Sequence, residues 1–241
     1  MTIQTRTVDY DDNGTALQGY IAYDDAKRGR RPTVLIAHQW DGRSTFIEER
    51  ARELAKGGYV AFALDMYGKG VRGTTTEECT RLMTPLLEDR SKLAHRMNLG
   101  LAVAARQPEV TTEEMAAIGY CFGGLCVLDL ARSGAQLAGV ASFHGLLDPP
   151  QPAFKKSIKA RILAMSGADD PMVPMEKVAA FREEMNAAGA DWQVHVYGGA
   201  KHAFAVPGAN NPELGIEYNV HAYRRSWQTL HNFLAEVFAV E

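Results

Sequence analysis

Cysteine is scarce in this chain, and the few that occur exclude two common kinds of site. The 241 residues contain three cysteines, Cys79, Cys121 and Cys126. They are too few for a disulfide framework, and their spacing is not that of a zinc site. We therefore expect no bound metal, and a reducing cytoplasm is the compartment that would keep a thiol available for chemistry.

Charge of one sign and long apolar runs are also lacking. The formal net charge is −3, which gives no electrostatic basis for binding nucleic acid or an anionic membrane surface. No apolar run approaches the ~20 residues that span a bilayer. Residues 1–9 lack the basic and then apolar pattern of a secretory signal. We accordingly expect a cytoplasmic protein with neither nucleic-acid nor membrane partners.

What the chain does contain is typical of a globular enzyme. Hydrophobic residues make up 46% and charged residues 23% of the sequence, both ordinary fractions. There is no internal repeat, low-complexity tract or long linker. We therefore predict a single domain over residues 1–241.

Short apolar runs alternate with helical segments along the chain. Residues 5–10 and 16–23 flank an Asn-Gly turn and predict an antiparallel hairpin at a sheet edge. Buried strands are predicted at 33–38, 59–65, 115–118, 137–143, 160–166 and 192–197. Helices are predicted at 46–55, through most of 76–106, and at 124–131, 175–188 and 220–237. This alternation predicts an α/β fold with a mostly parallel central sheet and helices on both faces.

Residues 119–123 read Gly-Tyr-Cys-Phe-Gly, the pattern of a nucleophile elbow with cysteine in place of the commoner serine. A strand that turns sharply into a helix holds Cys121 in a strained conformation, and it needs small residues such as Gly119 and Gly123 beside it. The helix N-terminus would favour a thiolate. Taken alone, the pattern also fits a buried structural cysteine in a glycine turn.

Acidic residues and a histidine follow two later strands. Asp169 and Asp170 come after the strand at 160–166, and His202 comes after the strand at 192–197. Nucleophile, acid and histidine therefore occur in the chain order of the α/β-hydrolase triad. A histidine would take the thiol proton and return it, while the acid fixes the imidazole tautomer. The joint pattern favours catalysis over separate turn and surface roles.

Two further assignments follow from the same geometry. An oxyanion hole is predicted from the backbone N–H of Phe122 and an N–H of the loop after the strand at 33–38, where Trp40 is our choice. The Trp40 ring could equally line a pocket or the core. For the histidine, the alternatives to His202 are His38, His144 and His195.

Four segments together resemble the dienelactone hydrolase family of α/β-hydrolases. They are residues 64–68, 119–124, 170–174 and 198–204, and the similarity runs from the strand at 33 to the last helix. The resemblance implies an α/β-hydrolase fold and a monomeric, cofactor-free hydrolase. It also implies a triad of Cys121, Asp170 and His202, with Asp170 preferred because the family's acid directly precedes the Pro-x-Val-Pro segment. The family's type activity opens an unsaturated lactone, carboxymethylenebutenolide, to maleylacetate.

The chain departs from the family in one loop. Where the family often has a glutamate that interacts with the resting thiol, this chain has Gln39, which cannot take a proton. Activation is then expected to depend on His202 alone, unless Asp41 substitutes. We also predict that Tyr67 and His144 modulate the thiol or contact substrate. The family holds a substrate carboxylate with arginines, and the candidates here are Arg43, Arg72, Arg90 and Arg96.

The sequence thus predicts a hydrolase that cleaves a small-molecule ester or lactone through a thioacyl-enzyme, with weak activity on activated phosphotriesters. A thioesterase or peptidase of the same fold is the alternative. A thiol sensor that uses Cys126 as the resolving residue is a third hypothesis. We expect a monomer or weak homodimer.

Overall fold

The chain opens with the antiparallel hairpin that its Asn-Gly turn predicts. Strands β1 (Ile3–Asp12) and β2 (Thr15–Asp24) pair along their full length. Asn13 (φ 51°) and Gly14 (φ 91°) both adopt positive φ, as a type I′ turn requires. Strand β1 is the first in the sheet order, so the hairpin lies at the edge, as predicted.

The computed structural model describes residues 2–239, and the chain divides after Ala117 into two compact units. The first unit holds the hairpin, strands β3 (Arg31–Ala37) and β4 (Val60–Ala63), and helices α1 (Thr45–Lys56), α2 (Thr76–Glu88) and α3 (Arg90–Ala105). Strand β4 pairs in parallel with β3 and antiparallel with β2. Strands β3 and β4 are buried almost throughout, which accounts for their unbroken apolar sequence.

The second unit repeats the strand and helix alternation. Strand β5 (Val110–Tyr120) runs into this unit and is followed by α4 (Phe122–Arg132), β6 (Gly139–Phe143), β7 (Arg161–Gly167), α5 (Met175–Ala187), β8 (Trp192–Tyr197) and α6 (Val220–Val237). Strands β6, β7 and β8 are parallel neighbours. A short two-stranded sheet, β9 (Asn210–Asn211) with β10 (Ile216–Glu217), precedes α6.

The sheet order is β1-β2-β4-β3-β5-β6-β7-β8. Apart from the N-terminal hairpin, the sheet is mostly parallel with helices between its strands, and this confirms the predicted fold class. Among residues 2–239, no helix combines the length and the apolar character that spanning a bilayer demands.

Three local predictions differ from the structure. The predicted helical stretch 76–106 is two helices, because Asp89 ends α2 outside the helical region (φ −116°, ψ 83°) and caps α3. Strand β5 begins five residues before the predicted 115–118, because its first half is polar and lacks the apolar signal. The β9–β10 sheet was not predicted, since each strand has only two residues.

Candidate active site

Cys121 lies at the turn between β5 and α4. Its backbone (φ 55°, ψ −117°) occupies a region that residues with a side chain rarely adopt, and such strain costs about 1–3 kcal/mol. A Cβ atom on Gly119 would lie 2.0 Å from the carbonyl oxygen of Gly123. One on Gly124 would lie 2.6 Å from Oγ of Ser142. The local geometry therefore matches the strained elbow that the sequence predicts, and it shows why these positions are glycine.

Three side chains of the second unit form a hydrogen-bonded relay. Nε2 of His202 lies 3.1 Å from Sγ of Cys121, and Nδ1 lies 2.9 Å from Oδ2 of Asp170. Asp170 and His202 are each only 2% exposed, whereas Cys121 is partly exposed. The Cys121 thiol is thus partly exposed, while the imidazole and the carboxylate of the relay are shielded from water.

The loop after β7 selects between the two candidate acids. Asp170 is buried, its Oδ1 accepts a hydrogen bond from the Met172 N–H (2.8 Å), and its Oδ2 faces His202. Asp169 is exposed, and its backbone N–H donates to the Ala200 carbonyl (2.9 Å). The structure therefore brings Asp170, and not Asp169, to the histidine.

The charges around His202 set its protonation. Burial lowers the pKa of His202, but the negative charges of Cys121 and Asp170 and their hydrogen bonds outweigh it and raise the pKa to about 10. At neutral pH the imidazole therefore carries a proton on both nitrogens, so that Nε2 faces Sγ of Cys121 as a donor and Nδ1 donates to Oδ2 of Asp170.

His144 is a second buried histidine at this site. It follows β6 with φ 41°, and its ring meets the His202 ring edge-on, with centroids 5.3 Å apart. Burial, and then the nearby positive charge of His202, hold the pKa of His144 well below its usual value. Within residues 2–239, neither ring nitrogen has a hydrogen-bond partner. His144 is therefore a neutral ring packed against the cationic one.

The two other candidate histidines occupy different settings. Nε2 of His38 accepts from the Met66 N–H (3.1 Å), so its Nδ1 must carry the proton and donate to the Gln39 carbonyl (2.6 Å). His195 contacts Oε1 of Gln193. His38 is thus held by backbone groups of the first unit, and of the four candidate histidines His202 is the one hydrogen-bonded to the thiol.

The remaining predicted site residues cluster after strands β3 and β4 of the first unit. The Tyr67 hydroxyl donates to the Trp40 carbonyl (3.0 Å), and the Tyr67 ring packs edge-on against His38. Oδ2 of Asp41 pairs with Arg72 (3.3 Å). The backbone carbonyl of Gln39 accepts a hydrogen bond from Nδ1 of His38. Three roles stay predictions. They are contact of these residues with substrate, the Trp40 N–H as an oxyanion-hole donor, and the use of Asp41 in place of a glutamate.

Three of the four candidate arginines form ion pairs inside the first unit. Arg43 pairs with Glu48, Arg72 with Asp41, and Arg96 with Asp12. Arg96 also donates to the Met66 carbonyl (2.5 Å). Arg90 is the first residue of α3. The charges of these three arginines are therefore largely neutralised by carboxylates of the chain itself.

Sequence reasoning missed one buried cation, which lies at the opposite end of α4 from Cys121. Arg132, the last residue of α4, is 5% exposed and pairs with Glu184 of α5 (2.7 Å). It also donates to the Leu147 carbonyl (2.7 Å), in the loop that begins with His144. Arg132 also pairs with Asp129 three residues earlier (3.2 Å), and these two charges in an otherwise apolar helix were the available signal.

The resolving thiol of the sensor hypothesis and a possible metal site can also be assessed. Cys126 is fully buried in α4, and none of the three cysteines forms a disulfide within residues 2–239. Within the described part of the chain, no three or more histidine, cysteine or acidic side chains are grouped as a metal site would need.

Comparison with known proteins gives the family. The model of the dienelactone hydrolase family matches residues 17–238, which is most of the chain. The chain belongs to the dienelactone hydrolase family. As an enzyme it is accordingly a carboxylic ester hydrolase of the carboxymethylenebutenolidase type.

Individual relatives agree with this membership. An uncharacterized protein of Caenorhabditis elegans, K02A2.1, is 34% identical over 158 residues, 64% of this chain and 100% of the worm protein. A putative carboxymethylenebutenolidase of Yersinia pestis is 26% identical and covers 92% of this chain and 85% of its own. The crystal structure of P91, a dienelactone hydrolase-like promiscuous phosphotriesterase from metagenomic libraries, is 35% identical with a TM-score of 0.92, covering 98% of this chain and 99% of P91.

Proposed function

We propose that the protein hydrolyses small-molecule esters or lactones through a thioacyl intermediate on Cys121, with His202 and Asp170 completing a triad. The relay of 3.1 Å and 2.9 Å contacts from a partly exposed thiol to a buried carboxylate is the observation that carries the proposal. We further propose that it works as one domain over 1–241, as a monomer or weak homodimer in the reducing cytoplasm.

In the first step the thiolate sulfur of Cys121 attacks the carbonyl carbon. The C–S bond forms and the C–O bond to the leaving group breaks, while Nε2 of His202 gives its proton to the departing alkoxide. The N–H of Phe122, the first residue of α4, is proposed to stabilise the oxyanion. The N–H of Trp40 is the proposed second donor.

The second step needs His202 as a base, and the charges explain how it becomes one. Once the sulfur is acylated it carries no negative charge, so the pKa of His202 loses its largest raising influence. Burial continues to lower that pKa, and Asp170 alone continues to raise it. His202 can then take a proton from water, which attacks the thioester carbon. The C–S bond breaks, the acid leaves, and the ion pair re-forms.

The ion pairs of the first unit bear on the substrate class. Arg43, Arg72 and Arg96 are neutralised by carboxylates of the chain, and Gln39 stands where the family often has glutamate. We therefore propose that neutral activated esters and lactones are better substrates than the anionic dienelactone. Good leaving groups are favoured, because the tetrahedral intermediate expels its better leaving group and a thiolate leaves more readily than an unactivated alkoxide.

A second activity is favoured by one comparison. P91, at 35% identity, is described as a promiscuous phosphotriesterase. We propose weak hydrolysis of activated phosphotriesters by the same Cys121 thiolate. The S–P bond forms as the P–O bond to the aryloxide breaks, and water then cleaves the S–P bond to release the phosphodiester and the thiolate. Saturable paraoxon hydrolysis that disappears in Cys121→Ala supports this activity, and a rate equal to the buffer background contradicts it.

Steady-state hydrolysis of p-nitrophenyl acetate tests the main proposal. Cys121→Ala is expected to lose essentially all turnover, and Cys126→Ala, which removes a buried thiol five residues away, is the matched control. Comparison of neutral with carboxylate-bearing aryl esters of equal length tests the substrate class. Turnover by Cys121→Ala at the wild-type rate would contradict the nucleophile, and preference for the anionic ester would contradict the neutral class.

A further inference from the structure

The backbone of His202 is hydrogen-bonded to a segment that no catalytic motif includes. We call residues 209–219 the strap; it contains β9, a 3-10 turn (Pro212–Leu214) and β10. The His202 N–H donates to the Gly215 carbonyl (3.1 Å), and the Glu217 N–H donates to the His202 carbonyl (3.0 Å). These two bonds make a parallel bridge between His202 and Ile216. The position of the histidine therefore follows the position of the strap.

Both ends of the strap are anchored. The Tyr218 N–H donates to the Ala209 carbonyl (2.8 Å), which closes the segment into a loop. The Asn219 N–H donates to the Phe204 carbonyl (3.1 Å), and the Asn219 side chain caps α6 through the N–H groups of its first residues. A segment held this way can transmit a displacement to His202 instead of absorbing it.

Through Gly215, the strap also contacts the loop after β7 that carries Asp170, which we call the acid loop. This glycine has φ +65°, and a Cβ atom built on it would lie 2.4 Å from Cγ and 2.7 Å from Cδ of Pro171. Pro171 directly follows Asp170, and its ring cannot rotate away. Gly215 thus contacts the acid loop with its Cα face and holds the histidine loop with its carbonyl oxygen.

We infer that the strap is a positioning device for the triad and that Gly215 is the positioning residue that sets the separation of Asp170 from His202. The inference rests on the proposed function, because it assigns the strap to that same triad. A side chain at 215 would push Pro171 and the strap apart. Asp170 would move with Pro171, His202 would move with the strap, and the 2.9 Å hydrogen bond between them would lengthen.

Gly215→Ala tests the inference, and Gly208→Ala is its matched control. Gly208 also has a positive φ (+83°) and lies in the same connection, but a Cβ there would meet no atom within 4 Å. Both variants carry backbone strain, and only Gly215→Ala adds the contact with Pro171. We expect Gly215→Ala to lower kcat by about 10²-fold with KM within about threefold, as a misplaced catalytic group does. Gly208→Ala is expected to keep the wild-type kcat.

A rescue experiment separates positioning from general damage. Pro171→Ala removes the Cγ and Cδ atoms that a methyl group at 215 would strike. The double variant Pro171→Ala, Gly215→Ala is therefore expected to recover about tenfold or more of the lost kcat. If Gly215→Ala fails to fold, which circular dichroism would show, the double variant still gives a decision. Near-wild-type kcat supports the inference, and a folded double variant with about 10²-fold lower kcat overturns it.

Alkylation of Cys121 by iodoacetamide provides a readout that does not need turnover. Because the Asp170 hydrogen bond helps to raise the pKa of His202, Gly215→Ala is expected to change the pH profile of alkylation, and the double variant is expected to restore it. Equal alkylation profiles in wild type and Gly215→Ala would overturn the inference, as would equal kcat in the two glycine variants. If wild type forms no acyl adduct with an ester, the proposed function fails, while the alkylation comparison still tests the strap.

Discussion

Asp170→Asn is the substitution whose effect can be followed atom by atom. In the wild type, Oδ1 accepts from the Met172 N–H and Oδ2 accepts from Nδ1 of His202. Asparagine has one acceptor and one donor in these two places. If its oxygen faces Met172, its NH2 group faces Nδ1 of His202, which must then lose its proton. The remaining proton lies on Nε2, toward the thiol, and His202 can no longer take a proton there.

The reverse orientation is also unfavourable. If the asparagine oxygen faces His202, its NH2 group opposes the Met172 N–H, and two buried donors meet, which costs about 1–3 kcal/mol. In a serine triad the same change lowers kcat about 10⁴-fold. A thiol is more acidic and more nucleophilic than a hydroxyl, so we expect a loss in kcat/KM of about 10²–10³-fold here, or about 3–4 kcal/mol.

The assay is kcat/KM for p-nitrophenyl acetate, with thermal unfolding to confirm the fold. Asp169→Asn is the matched control, because it makes the same chemical change at the exposed neighbouring position. It is expected to stay within about twofold of wild type. If Asp170→Asn also stayed within about threefold, or if both variants lost the same activity, the assignment of Asp170 would be refuted.

Three further predictions follow from the same contacts. In Cys121→Ser, the pKa of His202 should fall below its wild-type value of about 10, because the sulfur charge is the largest influence that raises it. NMR of the imidazole C–H signals measures both titrations, and coincident curves would contradict this prediction. His144→Phe should keep kcat within about threefold, because it retains a ring packed on His202 and loses only nitrogens that make no hydrogen bond within residues 2–239. His144→Ala removes the ring and should lower the free energy of unfolding by about 2–4 kcal/mol. Equal urea midpoints for the two variants would refute the packing role. Arg132→Met should lower the free energy of unfolding, measured in urea, by about 3–5 kcal/mol, because it breaks the buried ion pairs with Asp129 and Glu184. The exposed control Arg182→Met should lower it by at most about 0.5 kcal/mol. Equal losses in the two variants would contradict the importance of the buried pairs.

The fold and the elbow could be predicted because their determinants are local. The sequence shows directly the glycines at 119 and 124, the nucleophile between them and the apolar strands. The order of Cys121, Asp170 and His202 is also visible in the sequence. In a parallel sheet, residues that follow the carboxyl ends of strands lie at one edge, so this order indicates that the three residues lie close together. Even the preference for Asp170 over Asp169 agrees with the buried position of Asp170 beside His202.

Other features depend on contacts between distant residues and left no such trace. The strap joins His202 to residues more than ten positions later through backbone bonds, which any sequence can make. The neutral state of His144 follows from burial and from the charge on His202, and neither is visible in a lone histidine. The ion pairs that occupy Arg43, Arg72 and Arg96 likewise require knowledge of which carboxylates lie nearby. The proposed positioning role depends on the first of these features, and the proposed substrate class depends on the last.

The central claim is that Cys121 carries the acyl group, and intact mass measurement tests it most directly. Wild-type protein is mixed with excess p-nitrophenyl acetate, quenched in acid within the first turnovers and weighed beside Cys121→Ser and Cys126→Ala. We predict an acetyl adduct on wild type and Cys126→Ala, located at Cys121 by peptide mapping, together with a burst of p-nitrophenol. Turnover without an adduct, or an adduct on another residue, would contradict the account.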